Sequence, residues 1–282
     1  DSGNVQIHPK INLDTLYFKS HGSGTTGKTW KDHHEMFYNL IKPFLKGTIC
    51  EIGGGNNSML YKIKNFSNIK RFYCFDKNLK ININNRKIFK IKEYFNLSTL
   101  SKQDINKKFD LIIHSHTFEH LYNPDKFLNI INSILAINGK HIFTMPNMKP
   151  MIKKGYANCM NFEHPFFFDE DLVESLLKKN KFKILKKKYF KKDHSVMYVT
   201  KKQLDKKKFS YKKFVYNNKI FKNLFNLWNK DISNINKKIK DCENVFIFGA
   251  HIFSQMLLFN GLNSKNILGI LDNDSNKVNN YL

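Results

Sequence analysis

The sequence predicts an α/β protein built on a mostly parallel sheet, and three observations carry that prediction. Ile49-Cys50-Glu51-Ile52-Gly53-Gly54-Gly55-Asn56 reads as a short apolar strand that ends in an acid and opens into a glycine-rich turn. A second apolar run, Arg71-Phe72-Tyr73-Cys74-Phe75-Asp76, closes on another acid 21 residues past Gly55. From residue 47 onward apolar strands alternate with helical patterns, and near-continuous apolar strands suit a sheet covered on both faces. Together the glycine turn and the spaced acid have the arithmetic of a nucleoside site in a βαβ unit. Glycines let the backbone approach a ligand, and a carboxylate ending the second strand can grip a ribose diol.

Residues 1 to about 45 read as a leading segment followed by a helix from Trp30 to Leu45, which contains His33, His34, Met36 and Phe37. Strands follow over 47–52, 70–76, 87–92, 110–115, 140–145, 182–190 and 195–201, with helices at about 57–65, 123–137 and 170–180. Asp169 is placed to cap the last helix, whose apolar stripe is Leu172, Val173, Leu176 and Leu177. The final two strands are joined by a short turn, which predicts an antiparallel edge pair. Residues 201–241 are lysine-rich with aromatic punctuation, from Phe209 and Tyr211 to Phe225 and Trp228, and read as a helical connector. A second βαβ pattern then runs from Val245-Phe246-Ile247-Phe248-Gly249-Ala250 through a helix ending near Leu258 to Ile267–Asp272. Ala250 and Ser254 stand where a dinucleotide fingerprint has glycines, which argues against a cofactor site there. The chain stops at Leu282 before such a domain is complete, so this module is expected to be a fragment or a packing element.

At 282 residues, 41% hydrophobic and 14% aromatic, the chain can bury a sizeable core. It contains no apolar run of membrane-spanning length and no signal-peptide pattern at Asp1, so a cytoplasmic protein without a membrane span is expected. The net charge of +25 invites a nucleic-acid reading, but of 48 basic residues only Arg71 and Arg86 are arginine. Nucleic-acid surfaces rely on arginine for bidentate contacts. The runs Lys186–Lys188, Lys191-Lys192 and Lys206–Lys208 are therefore read as solvated faces, and no nucleic-acid partner is expected. Such a field still draws anionic substrates. Cys50, Cys74, Cys159 and Cys242 show no C-x-x-C spacing, so neither a zinc ribbon, a disulfide framework nor any other metal site is expected.

The first βαβ unit resembles motif one of the class I S-adenosylmethionine (SAM)-dependent methyltransferases, and the resemblance continues in order. Phe109 through Leu121, ending Glu119-His120-Leu121, looks like their fourth strand and its tail, and Gly139–Phe143 like the fifth. Met145-Pro146-Asn147, then Phe162-Glu163-His164-Pro165, then His194-Ser195, are similar to the sugar C-methyltransferase family, which acts on nucleotide-linked keto-sugars. The resemblance implies a Rossmann-like, seven-stranded methyltransferase core over 46–202, an N-terminal helical lid over 1–45, and a connector with a partial βαβ module over 203–282. Three features depart from that family: its N-terminal zinc module has no counterpart, its Tyr-His-Glu-His run is here Asn161-Phe162-Glu163-His164, and its C-terminal domain is curtailed.

Methyl transfer from a sulfonium is an in-line displacement that needs aligned reactants, proton removal and exclusion of water. The resemblance places Gly53, Gly54 and Gly55 against the methionine part of SAM, with Glu51 anchoring the turn or reaching the ammonium through water. Asp76 would take the ribose hydroxyls, Tyr94 and Phe95 would flank adenine, and His116 would sit beside the cofactor. His164 is the candidate general base, since an imidazole titrates near neutral pH, and Glu163 would fix its tautomer or bind substrate. Glu119 and His120 are common in methyltransferases that use neither catalytically and are read as structural. Tyr17, His21, Ser23, Asn147, Asn161 and His194 make up the expected acceptor pocket, and Ser23, Thr25 and Lys28 would be expected to touch an anionic acceptor.

The implied function is SAM-dependent methylation of a small acceptor: a sugar, nucleotide-sugar or related surface-glycan precursor, as in capsule or polysaccharide biosynthesis. Both O- and C-methylation stay open, with the lost tyrosine favouring oxygen. One alternative is an O-methyltransferase of another small anionic metabolite. The other is a P-loop kinase or NTPase, because Gly22-Ser23-Gly24-Thr25-Thr26-Gly27-Lys28-Thr29 satisfies G-x-x-x-x-G-K-[ST]. A true P-loop follows a buried strand, and Phe18-Lys19-Ser20-His21 is too polar to be one.

Overall fold

The computed structural model describes residues 5–18, 27–55, 58–103, 105, 108–156, 161–203, 214–273 and 277, with the backbone alone at 214–216. The chain divides into two compact units. The larger comprises Gln6–Met148 and Phe162–Tyr211, and the smaller Asp1–Val5, Lys149–Asn161 and Lys212–Leu282.

The larger unit begins with the short helix α1 (Leu13–Leu16) and the longer α2 (Lys28–Ile41). It continues through β1 (Gly47–Ile52), β2 (Ile69–Phe75), β3 (Ile88–Ile91), α3 (Leu97–Lys102), β4 (Phe109–Ser115), α4 (Pro124–Ile134) and β5 (Leu135–Pro146). After α5 (Met148–Lys153), which falls in the smaller unit from Lys149 on, the larger unit resumes with α6 (Glu170–Lys179), β6 (Phe182–Phe190), the single turn α7 (Lys191–His194) and β7 (Ser195–Lys202). The strands form one seven-stranded sheet in the order β3-β2-β1-β4-β5-β7-β6. The first five are parallel, and β7 runs antiparallel to both β5 and β6.

Strand residues point alternately to the two faces. On one face Leu111 and Ile113 join Ile49, Phe72 and Val199 in a cluster sealed by Phe37, Leu40 and Ile41 of α2. On the other, His114 stacks on Phe143 with ring centroids 4.8 Å apart and meets Phe127 of α4 edge-on at 5.4 Å. The helix ends follow their caps. Asn123 accepts from Lys126 N (2.9 Å) to start α4, and Asp169 accepts from Leu172 N (2.9 Å) to start α6, whose buried stripe is Leu172, Val173, Leu176 and Leu177 as the pattern predicts. Edge strand β6 exposes lysines, and Lys187 is held by Glu170 (2.6 Å) and Glu174 (2.7 Å). Charges of this kind keep an exposed edge from pairing with another chain.

Three short helices, α3, α5 and α7, stand where the pattern gave none, and one expected helix is missing. The helix expected at 57–65 is only a 3₁₀ turn, Met59–Lys62, followed by irregular chain. The side chain of buried Glu51 accepts from Met59 N (2.8 Å) and from the Ser58 hydroxyl, fixing the chain as it leaves the glycine turn. The run then ends at a turn where Asn65 accepts from Ser67 N (2.8 Å), leaving too few residues for a nucleated α-helix.

In the smaller unit, α8 (Phe214–Ile239) buries Ile220, Phe221 and Leu224, and its Trp228 donates to Gly155 O (3.0 Å). β8 (Val245–Phe248), α9 (Ile252–Phe259) and β9 (Ile267–Leu271) form a parallel βαβ unit. Asp272, which ends β9 where a ribose-binding acid would stand, accepts from Ala250 N (2.8 Å) and Lys277 Nζ (2.9 Å).

Candidate active site

The order of the sheet reverses between β1 and β4, and open α/β sheets bind ligands in the crevice outside the carboxyl ends at such a point. Two turns line it here, Gly53–Gly55 after β1 and His116–His120 after β4. They approach each other closely. Gly53 has φ 71° and donates to Phe75 O (2.8 Å), and a Cβ added to it would lie 2.3 Å from Thr117 Oγ1. Only glycine meets both demands. Glu51 is buried, and burial first and Asp76 second push its carboxyl up to about 7 against its hydrogen bonds. Its part is to anchor the turn. Asp76, also raised by burial, accepts from Asn78 N (2.7 Å) and from the Gly55 backbone. Phe95 meets Phe75 edge-on at 5.3 Å and Phe127 at 5.7 Å, and the Tyr94 hydroxyl donates to Leu13 O (3.1 Å).

The leading segment is stitched to this rim. Ile7 N donates to Pro165 O (2.9 Å), Tyr122 OH to Ile11 O, and Asn78 Nδ2 to Tyr17 O (3.1 Å). These bonds carry residues 6–18 across the loops that follow β2, β3 and β4. They bring the Tyr17 ring 6.2 Å from His120. Burial first, then the charges of Glu163 and Glu119, raise the Tyr17 hydroxyl far above its ordinary value, so it stays a protonated donor.

His120 and His164 face each other with ring centroids 4.9 Å apart. His120 Nδ1 donates to the Glu163 carbonyl (3.1 Å), and burial lowers its imidazole to about 4. Glu119, Glu163 and Tyr17 complete this cluster, in which Glu119, His120 and His164 bring one ligating atom each within 4.8 Å of one another. Beside it lies a second group of imidazoles. His116 adopts φ 49°, a left-handed conformation that non-glycine residues occupy at a cost, histidine less than most. Its Nδ1 is 2.9 Å from Glu119 Oε1 and its Nε2 3.0 Å from Ser195 Oγ, which is 2.6 Å from His194 Nδ1. Burial, then His194 and His34, lowers His116 to about 3, so the ring is neutral. Trp30 and His33 of α2 close the group, with centroids 4.8 and 5.0 Å from His116, and His33 Nε2 bonds Thr144 Oγ1 at 3.1 Å.

The structure thus gathers Glu51, Gly53, Gly54, Gly55, Asp76, Tyr94 and Phe95 around one side of the crevice and Tyr17, Glu163, His164, His116 and His194 around the other. His116, expected beside the cofactor, has both ring nitrogens engaged by protein groups. Asn147, expected in the acceptor pocket, is buried and bonds the turn before β7 through Asn147 N to His194 O and Nδ2 to Lys192 O, both 3.0 Å. Asn161 belongs to the smaller unit. His21, Ser23 and Thr25, with most of the Gly22–Thr29 segment, lie outside the described residues. What precedes that segment is helix α1 and a turn, and Lys28 is exposed and paired with Asp32 (3.0 Å). Neither favours a phosphate loop. Ser58, Thr117, Thr144 and Ser195 have roles that the linear pattern does not show. His33 left a visible trace as a polar residue on the stripe His33, Phe37, Leu40, Ile41.

The family model described as "Methyltransferase domain" matches residues 31–187, more than half of the chain. Solved structures with similar folds include 1,6-didemethyltoxoflavin-N1-methyltransferase from Burkholderia thailandensis, crystallised with S-adenosylhomocysteine (12% identity, 71% of this chain and 95% of that one, TM-score 0.49). A SAM-dependent methyltransferase from Mesorhizobium loti is 11% identical over 62% of this chain and 98% of its own, with a TM-score of 0.47. N-methyltransferase NodS from Bradyrhizobium japonicum is 12% identical over 62% and 97%, with a TM-score of 0.45. No curated protein sequence matches the chain.

Proposed function

This chain belongs to the methyltransferase-domain family and takes its methyl group from SAM, and we propose that its acceptor is an anionic, carbohydrate-linked small molecule. A sugar, nucleotide-sugar or related surface-glycan precursor fits best. The observation that carries this reading is the His120–His164 pair, 4.9 Å between centroids and flanked by Tyr17 and Glu163, facing the same crevice as the glycine turn. A donor methyl held by that turn points toward groups able to bind and deprotonate a hydroxyl or an activated carbon acid. His164 is the proposed base: it takes the acceptor proton as the new bond to the methyl carbon forms and the carbon–sulfur bond breaks. The Tyr17 hydroxyl, kept protonated, donates to an acceptor oxygen. The carbohydrate class rests on the similarity of Pro146-Asn147, Glu163-His164 and His194-Ser195 to the sugar methyltransferases, and the charge of +25 favours an anionic molecule.

Two measurements test the proposal. Incubation with SAM carrying a labelled methyl group, against nucleotide-sugars, sugar phosphates and non-carbohydrate carboxylates, should label a nucleotide-linked or phosphorylated sugar. Labelling of the non-carbohydrate acids alone would reject the carbohydrate class. With that acceptor, His164→Ala should lower kcat by about 10²–10⁴ while S-adenosylhomocysteine affinity holds, and equal losses in both would reject the base.

A further inference from the structure

The acceptor side of the crevice contains one polar atom that the fold leaves unexplained. Glu119 is 1% exposed, and its two oxygens are treated differently. Oε1 receives the Nδ1–H of His116 at 2.9 Å. Oε2 is buried with no hydrogen-bond partner among the described residues. An orphaned, buried carboxylate oxygen is costly, and where one persists an absent ion is among the ordinary reasons.

Its surroundings answer to that reason. The Glu163 carbonyl can only accept, so its 3.1 Å contact fixes His120 with the proton on Nδ1 and leaves the Nε2 lone pair unprotonated. His164 stands across from it, and one ligating atom from each of Glu119, His120 and His164 lies within 4.8 Å of the others. Each of the two residues contributed by the β4 turn has an outer partner of the kind metal ligands have. His120 has the Glu163 carbonyl. Glu119 has His116, whose Nε2 is 3.0 Å from Ser195 Oγ, itself 2.6 Å from His194 Nδ1. With the proton of His116 on Nδ1, toward the carboxylate, its Nε2 accepts from the Ser195 hydroxyl, and Ser195 in turn accepts from His194 Nδ1. Such partners orient ligands and raise their basicity.

We propose that Glu119, His120 and His164 form a site for a divalent transition metal ion of the zinc class, open on its remaining positions to the acceptor. Two imidazoles and a carboxylate suit Zn²⁺, Co²⁺, Fe²⁺ or Mn²⁺ over Mg²⁺ or Ca²⁺, which take oxygen ligands. The proposal rests on the acceptor pocket assigned above and names a cofactor for it. An ion there lowers the pKa of a bound acceptor hydroxyl, which loses its proton to solvent. The resulting oxygen attacks the methyl carbon of SAM as the carbon–sulfur bond breaks, and the electron pair stays on the sulfur of S-adenosylhomocysteine. In the loaded site His164 is a ligand, and the ion takes over the proton removal assigned above to its imidazole.

The test is a titration of chelator-stripped full-length protein with Co²⁺, followed by visible absorption, with Zn²⁺ as competitor and Mg²⁺ as control. S-adenosylhomocysteine affinity is measured on the same samples. The expected result is one Co²⁺ per chain at micromolar affinity, displaced by Zn²⁺ and untouched by Mg²⁺. Glu119→Gln and His164→Gln should each weaken Co²⁺ by about 100-fold or more, and His116→Asn, which leaves all three ligands, by roughly 10-fold. S-adenosylhomocysteine affinity in these variants reports that the fold is intact. Protein that binds S-adenosylhomocysteine but not Co²⁺, or Co²⁺ binding that survives both ligand substitutions, overturns the metal site. Co²⁺ bound by folded protein that ignores S-adenosylhomocysteine would instead count against the donor pocket and leave the metal site standing.

Discussion

Three buried histidines that are not among the proposed ligands make the larger unit acid-labile. His33, His114 and His141 are each fully buried. His114 and His141 share a 2.9 Å contact between their Nε2 atoms, with Thr200 3.3 Å from His141 Nδ1 and aromatic rings around them. His33 faces His34, His116 and His194 beneath Trp30. Burial is the first cause of depression for all three, reinforced for His114 by His141 and for His33 by His116. His33 is brought to about 2 and His141 to about 3. A histidine with a depressed folded pKa contributes stability above its unfolded pKa, and that stability is lost as pH falls below it. From the ordinary 6.5 down to pH 5, an imidazole that stays neutral in the folded state costs about 2 kcal/mol, or about 6 kcal/mol for the three. Glu51 works in the opposite sense. Its carboxyl is held up near 7, and the penalty it carries at neutral pH is relieved by about 2 kcal/mol on the way to pH 5.

From these four groups the expectation is a loss of about 4 kcal/mol between pH 7 and pH 5, a large part of the roughly 5–15 kcal/mol that holds a domain together. The assay is urea unfolding at the two pH values in a Trp228→Phe variant, so that fluorescence reports Trp30, whose ring lies 5.4 Å from His33. With a slope of about 3 kcal/mol/M the midpoint should fall by more than about 1 M at constant slope. Replacing His114 and His141 together by leucine should remove about two-thirds of the histidine contribution. A midpoint that is flat or rises on acidification, or a double variant with undiminished pH dependence, would refute the reasoning.

Other substitutions separate donor binding from framework. Asp76→Ala should weaken S-adenosylhomocysteine by about 100-fold in calorimetry, the loss expected for hydrogen bonds from two ribose hydroxyls to a carboxylate. Gly53→Ala should both lower Tm by several degrees and cost at least about 10-fold in that affinity, since the added Cβ falls 2.3 Å from Thr117 Oγ1 at a φ of 71°. A variant with wild-type affinity would show that the turn does not need this close approach. Asn147→Ala should cost about 1–3 kcal/mol in urea unfolding with donor affinity unchanged, because its side chain ties the Lys192 carbonyl. A pure loss of acceptor affinity would restore it to the binding pocket.

The proposed donor half of the crevice could be read from sequence because its parts are close in the chain. Glu51, the glycines and Asp76 belong to one βαβ unit, where the lengths of strand and crossover fix which side chains meet, so their spacing already holds the geometry. The fold was legible for a related reason: the strand expected at 47–52 is Gly47–Ile52 because continuous apolar runs between turn residues have few other structures open to them. The helix expected at 57–65 failed where a long-range capture, Glu51 taking Ser58 and Met59 N, outweighed local propensity.

The acceptor half follows another logic. Tyr17, His33, His116–His120, Glu163-His164 and His194-Ser195 come from five separate segments that only the order β1-β4-β5-β7 brings to one end of the sheet. No spacing rule links them. Glu119-His120 shows the consequence most sharply. The pair follows a strand in many methyltransferases, and its residue types alone favour a structural reading. What changes that reading is hydrogen-bond accounting: one carboxylate oxygen taken by His116, the other buried without a partner among the described residues, and His120 fixed by a carbonyl through Nδ1 so that its Nε2 keeps a lone pair. Unsatisfied polarity is a property of the folded state, and it is there that the case for the proposed acceptor pocket is found.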